Sequence, residues 1–423
     1  MMIKIFKLSA ALIMFTLFLF AFSKLSGIPK IRHIKVCIDP GHGGKPEFGD
    51  RNGGDHWNPE RKTFLKYYNF GADYKGFTEH SYVMEVAEKM KKELEKLNTP
   101  DNYKKMCDRL AHAGILIDRE HDIRFEVMLT REESYGKRPE KDHSNINRFY
   151  RLFDSPHPVS GGELFPGRLS RINRFRPDVT VSFHVNYVKS QAYSGMLSFF
   201  APSYNEMKEI YASKDHPDKL KDHRLFDSWN IRSSRINMED WMINDAGTYF
   251  HGYKIDGRFI GQRNTMIEWR YDEPVEGLDS DVSPDLLDSS FWDRERSVYE
   301  SYRRENGPEG FGGDNPFLSE EMLRYVSHIM KSETGSEVRI ERPRACDWSL
   351  PIYNNSVTAG IELGNVYSDH DRDLMLSHRD EISESFSLAL LCVLKGSELI
   401  EDNHENIRGE KLDLDKYGDY FER

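Results

Sequence analysis

Ile38-Asp39-Pro40-Gly41-His42-Gly43-Gly44 follows directly on the apolar run His33–Ile38. A strand stops at a proline, and a histidine stands between glycines. Glycine tolerates positive φ, so this loop can turn sharply and leave the imidazole accessible. A second histidine has the same placement in Val179-Thr180-Val181-Ser182-Phe183-His184-Val185-Asn186. Two histidines at two strand ends outline a metal site.

Zinc in hydrolytic sites takes three protein ligands and one water. His42 and His184 supply two. Glu79 is the candidate third, because it opens a helix read over Thr78–Leu97. There Val83, Val86, Ala87, Met90, Leu94 and Leu97 recur at three- and four-residue steps. Glu79 lies one turn before Val83, at the end of the buried stripe. An acid in a first helical turn also complements the helix dipole, so a capping role stands beside the ligand role. Thr78 is the expected cap. His80 points about a quarter-turn off the stripe and ranks below Glu79 as a ligand.

In the second strand, Ser182, His184 and Asn186 alternate with apolar residues and share one face. Ser182 and Asn186 can therefore flank the imidazole and hydrogen-bond around it. Glu362, in Thr358-Ala359-Gly360-Ile361-Glu362-Leu363-Gly364-Asn365, is an acid inside an apolar strand. Such an acid is paired or functional. At the strand's end it can serve as general base beside a metal-activated water.

The reading outward gives five strands, His33–Ile38, Phe125–Leu129, Val179–His184, Gly195–Phe200 and Val357–Leu363. It gives a short helix Arg168–Arg174 and a long one, Leu374–Lys395, stopped by Gly396. Strands alternating with helices predict an α/β fold. The expected sheet is mostly parallel and twisted, with helices on both faces. A large insertion separates the third and fourth strands from the last. Residues 31–200 and 345–400 form the expected catalytic domain. Residues 204–344 are read as an inserted subdomain, since Trp229, Trp241, Trp269 and Trp292 are too many large aromatics for a linker. Lys45–Gly76 reads as a loop, the Gly/Pro stretch near Gly307–Pro316 as turns, and 401–423 as a charged, mobile tail.

Lys4 and Lys7 precede an uncharged apolar run, Leu8–Phe22, with small residues Ala21 and Ser23 behind it. This is the pattern of a signal peptide over 1–23, cleaved after Ser23; a retained short anchor is the alternative. Either places the body outside the cytoplasm, with membrane contact only if the segment is retained. Acids outnumber bases 70 to 59, a net charge of −11, which argues against nucleic acid as a partner. Four cysteines in 423 residues are not a disulfide framework. Cys37 and Cys392 lie in apolar runs and read as buried thiols.

Together these segments resemble the zinc-dependent N-acetylmuramoyl-L-alanine amidases of the amidase type 3 family, which cleave peptidoglycan. The motifs are I-D-P-G-H-G-G at Ile38–Gly44, G-x-x-E at Gly76–Glu79, V-x-L-T-R at Val127–Arg131 and E-x-G at Glu362–Gly364. A fifth series runs Arg168, Asn173, Asp178, Ser182, His184, Asn186, with Gly195 opening the next strand. The resemblance implies His42, Glu79 and His184 as ligands of one Zn²⁺ and Glu362 as general base. It implies Arg168 and Asn186 as supporting or substrate-orienting groups. The implied substrate is the amide joining N-acetylmuramic acid to L-alanine. Some relatives carry an inserted helix over the zinc that an activator protein removes, so an activator is a candidate partner. The chain departs from the family in its long aromatic loop after His42, in His80 where a lysine is usual, in Asn365 where a phenylalanine is usual, and in the length of 204–344. These departures keep two alternatives open: a zinc amidase or peptidase of another specificity, and a non-catalytic wall-binding regulator.

Overall fold

The computed structural model describes residues 31–44, 69–132, 151–152, 167–200, 310–341, 343–345, 350, 356–400 and 406–415, with a few short strand segments between them. The expected signal at 1–23 and most of 204–344 lie outside the described residues. Among the described residues, no helix is long and apolar enough to cross a membrane.

The elements in chain order are β1 (Arg32–Pro40), α1 (Glu79–Lys96), α2 (Pro100–His112), β2 (Ile123–Leu129), α3 (Arg168–Phe175), β3 (Val179–Asn186), β4 (Leu197–Phe200), α4 (Gly310–Thr334), β5 (Arg344–Ala345), β6 (Val357–Asn365), α5 (Asp369–Ser377) and α6 (Arg379–Lys395). Six strands form one sheet in the order β5-β4-β6-β3-β1-β2. β1 pairs parallel with β2 and β3, and β3 parallel with β6. β4 runs antiparallel to β6 and parallel to β5. The fold is α/β with a mostly parallel sheet.

Two-residue alternation sorts the strands onto two faces. Ile34, Val36 and Ile38, with Val179, Val181, Phe183, Ala359 and Ile361, join the main core. Over them lie α1, α4 and α6, with α6 packed between α1 and α4. The other face carries Asp39, Ser182, His184 and Glu362, and α3 packs there against β1.

β1 passes to β2 on one side and β3 on the other, so chain direction across the sheet reverses at its end. In open α/β sheets ligands bind outside the carboxyl ends of strands at such a reversal. The fold therefore places His42, one residue past Gly41 at the end of β1, at the position where a site is expected.

Several boundaries differ from the sequence reading. Most of the stretch read as turns near Gly307–Pro316 is the start of α4, which belongs to the main layer. Leu318, Met322, Tyr325, Val326 and Ile329 are all buried against the sheet. Their three- and four-residue spacing overrides the Gly/Pro composition, so the end of 204–344 is not part of a separate subdomain. Leu374–Lys395 is two helices, α5 and α6. His378 leaves helical geometry (φ −126°, ψ 31°), and Ser368 caps α5 through the Asp371 amide. The tail is not wholly mobile. Ile407, Leu412 and Leu414 are buried, and the amides of Arg408 and Gly409 donate to Glu321 at 2.6 and 3.0 Å. α2 was not expected at all. Cys37, Cys107 and Cys392 are free and buried.

Candidate metal centre and active site

His42 follows the end of β1 with φ 57°, the left-handed region, which a histidine enters only when its surroundings hold it there. Arg131, fully buried, supplies part of that hold. Its guanidinium donates to the carbonyls of Pro40 (2.9 Å), Gly41 (3.1 Å) and His80 (2.7 Å), tying the β1 loop to the start of α1. The backbone carbonyl of Asn69 lies 3.0 Å from His42 Nδ1. A ring nitrogen that donates to a carbonyl leaves the other, Nε2, as a lone-pair donor aimed at the site.

Glu79 begins α1 and is 3% exposed. Thr78 does not cap the helix with its side chain. Instead the Glu79 amide donates to the Ala72 carbonyl (2.9 Å), and Glu79 Oε2 accepts from the Ala72 amide (2.6 Å). Oε1 accepts from the Val185 amide (2.9 Å). The carboxylate is thus held from two sides with Oε1 facing both imidazoles.

His184 Nδ1 stands 3.1 Å from His42 Nε2 and 3.2 Å from Glu79 Oε1, and His42 Nε2 stands 3.3 Å from the same oxygen. The three side chains expected from the sequence do converge, and their donor atoms form a nearly equilateral triangle. Ligands at about 2.0–2.1 Å in tetrahedral geometry stand roughly 3.3–3.4 Å apart. The triangle fits a small divalent ion with a fourth position open. His80 is not a member of this cluster.

At Glu79 and His184 the electrostatics agree with that use. Burial pushes the Glu79 carboxyl up, but the charges and hydrogen bonds of His42 and His184 outweigh it and hold it well below the carboxylate range. Burial pushes His42 down, and the Glu79 carboxylate more than reverses this. At His184 burial prevails and lowers the imidazole, which favours the neutral, ligating form.

Close packing fixes His184. A Cβ on Gly41 would lie 2.4–2.7 Å from three atoms of its ring. On its other side, the Phe199 ring meets it edge-on at 5.6 Å. Phe199 in turn occupies the space a Cβ on Gly360 would fill, 2.4 Å from its ring. Both glycines are required by close approach rather than by a turn.

Glu362 pairs in register with His184 across β3 and β6. It lines a cleft of about 730 Å³ with His42, Glu79, His184, Asn186 and Tyr187. Asn186 is therefore at the site as expected, with its Oδ1 accepting from the Tyr187 amide (2.8 Å). Arg168 and Ser182 do not face the cleft. Both hold the buried Asp39 carboxylate: Arg168 Nη1 lies 2.7 Å from each oxygen, Ser182 Oγ 2.9 Å from Oδ2, and Thr130 Oγ1 2.5 Å from Oδ1. Ser182 thus supports the strand end, not the imidazole directly. Asn69 is a supporting residue that sequence reasoning missed, and Arg131 and Asn365 are named there without a structural role.

The family model for N-acetylmuramoyl-L-alanine amidases matches residues 36–228, a span that contains His42, Glu79 and His184. Residues 36–228 therefore carry that family's domain. The chain is an amidase that acts on peptidoglycan. The match ends before Glu362, whose position in the cleft comes from the sheet register. No curated protein matches the chain. Among solved structures, it is similar to the N-acetylmuramoyl-L-alanine amidase AmiC2 of Nostoc punctiforme at 10% identity, covering 85% of this chain and 95% of that one, with a TM-score of 0.30. The apo amidase Ami1 of Mycobacterium abscessus is similar at 10% identity, with 84% and 95% covered and a TM-score of 0.34. The CwlD amidase of Clostridioides difficile, solved with the GerS lipoprotein, is similar at 10% identity, with 84% and 95% covered and a TM-score of 0.31.

Proposed function

We propose that this amidase is an exported zinc enzyme that cleaves the amide between N-acetylmuramic acid and L-alanine in peptidoglycan. The observation that carries the proposal is the donor triangle of His42, Glu79 and His184 opening into the cleft that Glu362 lines. Its spacing suits Zn²⁺, and its two imidazoles and one carboxylate are a common hydrolytic donor set. When bound, zinc lowers the pKa of water towards ~7 and polarises the scissile carbonyl. Glu362 takes a proton from the attacking water and returns it to the leaving amine of L-alanine. Asn186, on the rim, orients substrate. Arg168 and Ser182 keep the strand ends in place through Asp39. Export is supported by the segment 1–23 and by a substrate that lies outside the cytoplasm. An activator acting on 204–344 remains part of the proposal.

The decisive experiment is digestion of purified sacculi by the full chain, with mass analysis of the products. Free stem peptides beginning at L-alanine are expected. A chelator should abolish their release and added Zn²⁺ restore it. Cleavage elsewhere in the stem would assign another peptidase specificity, and binding without cleavage would assign a regulator.

The packing makes a second expectation specific. Gly41→Ala puts a methyl against the His184 ring, which must swing away from the triangle. Zinc content of the purified variant, read by elemental analysis, should fall by 10- to 100-fold in apparent affinity. Retention of full zinc would show that His184 is not a ligand.

A further inference from the structure

Tyr187 follows β3 directly, lines the cleft with His184 and Glu362, and is 46% exposed. An exposed tyrosine is ordinary in itself. This one is held from behind. The Tyr367 hydroxyl donates to the Tyr187 hydroxyl at 3.0 Å, and the two rings meet edge-to-face with centroids 5.0 Å apart. Tyr367 in turn lies 4.2 Å from Tyr74, tilted by 32°. Three rings from three separate segments form one stack at the lip of the site.

The backbone beneath the stack is also fixed. Asn365 is fully buried, and its Nδ2 donates to the carbonyls of Val188 (2.9 Å), Ser190 (3.1 Å) and Tyr193 (2.8 Å). Its Oδ1 accepts from the Val188 amide at 3.0 Å. Asp371 holds the Asn365 amide (2.8 Å) and the Gly195 amide (2.9 Å), closing the far end of the loop. A ring presented this rigidly binds with little loss of conformational freedom.

The charge around the stack selects its ligand. Lys75 and Arg372 lie over Tyr74, each 5.3 Å from the ring centroid. Both are paired with Asp369. An anionic peptide would be drawn to cations that carry no such counter-charge. A pyranose ring instead offers an apolar C–H face to an aromatic ring and hydroxyls to its polar edge. A muramoyl ring whose lactyl group is in amide linkage has no charge on that group.

We infer that Tyr187, backed by Tyr367 and Tyr74, is a specificity-determining platform that binds the pyranose ring of the glycan next to the scissile amide. This rests on the peptidoglycan reading above and names which half of the substrate the lip of the cleft recognises.

The test compares two small substrates of the zinc-loaded full chain: N-acetylmuramoyl-L-alanyl-D-isoglutamine, and D-lactoyl-L-alanyl-D-isoglutamine, which has the same amide and no sugar. The unaltered chain should favour the muramoyl compound by at least about tenfold in kcat/KM, mainly through KM. Tyr187→Ala should bring that ratio towards one, and Tyr187→Trp should restore it. A ratio unchanged in Tyr187→Ala, or equal losses on both compounds, would overturn the platform. Co-sedimentation with intact sacculi supplies a readout independent of turnover, and Tyr187→Ala should bind about tenfold more weakly. If the unaltered chain binds sacculi but cleaves neither them nor the two compounds, the hydrolytic reading fails and the binding comparison alone decides the platform. If it neither binds nor cleaves, both fall.

Discussion

Glu362→Gln is expected to keep one zinc per chain and lose between 10²- and 10⁴-fold in turnover on sacculi. The substitution preserves size and removes only the ability to accept a proton. General base catalysis contributes this range. Glu362 is not one of the three converging donors, so the triangle of His42, Glu79 and His184 should survive intact. The side chain is 9% exposed and lies at the mouth of the same cleft, so the fold should tolerate the amide. The informative measurement is the split between zinc content and rate. Unchanged zinc with collapsed turnover places Glu362 in proton transfer. Loss of both would make it a structural prop of the triangle, and full activity would remove it from the chemistry. Its effect should also be confined to kcat, because a proton acceptor for water contributes little to ground-state binding of substrate.

The parts of this site that lie on periodic elements were legible in the chain. His42, His184 and Glu362 each end a strand whose alternation is plain, and Glu79 opens a helix with a clean apolar stripe. Parallel pairing then brings the strand ends together, because β3 lies between β1 and β6. What periodicity does not encode is which polar group satisfies which. Asn69 meets His42 through its backbone carbonyl, from 27 residues away, and its side chain only fixes the local turn by accepting from the Gly71 amide, so nothing in the sequence links it to His42. Asn365 reads as a departure from a family pattern, whereas its five-atom amide ties together a loop nearly 180 residues earlier in sequence. Arg168 read as either a supporting or a substrate-orienting group. Only the fold shows that its side chain is 6% exposed and spent on Asp39.

Fold boundaries failed for a related reason. α2 had a usable signal in Pro100 at its first turn and in Tyr103, Cys107 and Leu110 on one face. Composition obscured α4, since Gly310, Gly312, Gly313 and Pro316 suggest turns while the apolar spacing behind them specifies a buried helix. The tail misled by its charge. Three apolar side chains among ten residues, with Glu321 waiting for two backbone amides, outweigh that charge locally. Tertiary burial decides such segments, and single-residue propensities do not record it.

Arg168→Ala should destabilise the chain by about 3–5 kcal/mol, the range for removing one partner of a buried ion pair. Asp39 is fully buried, so loss of the guanidinium strands a carboxylate in low dielectric beside the hydroxyls of Thr130 and Ser182. In the intact chain burial raises the Asp39 carboxyl, but Arg168 and the Thr130 bond outweigh it and leave it below its ordinary value. A depressed carboxyl stabilises the fold above its unfolded pKa near 3.9 and loses that contribution as pH falls through the folded value. Without Arg168 the sign reverses. Burial then dominates, the carboxyl rises, and protonation on acidification relieves the stranded charge. The stability gap between the two chains, measured by denaturant unfolding, should therefore be largest near neutral pH and narrow as pH falls towards 5. A gap independent of pH would mean that Arg168 acts through packing alone. Asp39→Asn combined with Arg168→Leu should recover part of the loss, because an uncharged, filled site is often no worse than the pair. The same double variant separates stability from chemistry. Arg168 supports the strand ends that carry His42 and His184 but faces no substrate, so at temperatures where the double variant is folded its KM should stay close to that of the intact chain. A large rise in KM there would return Arg168 to substrate binding.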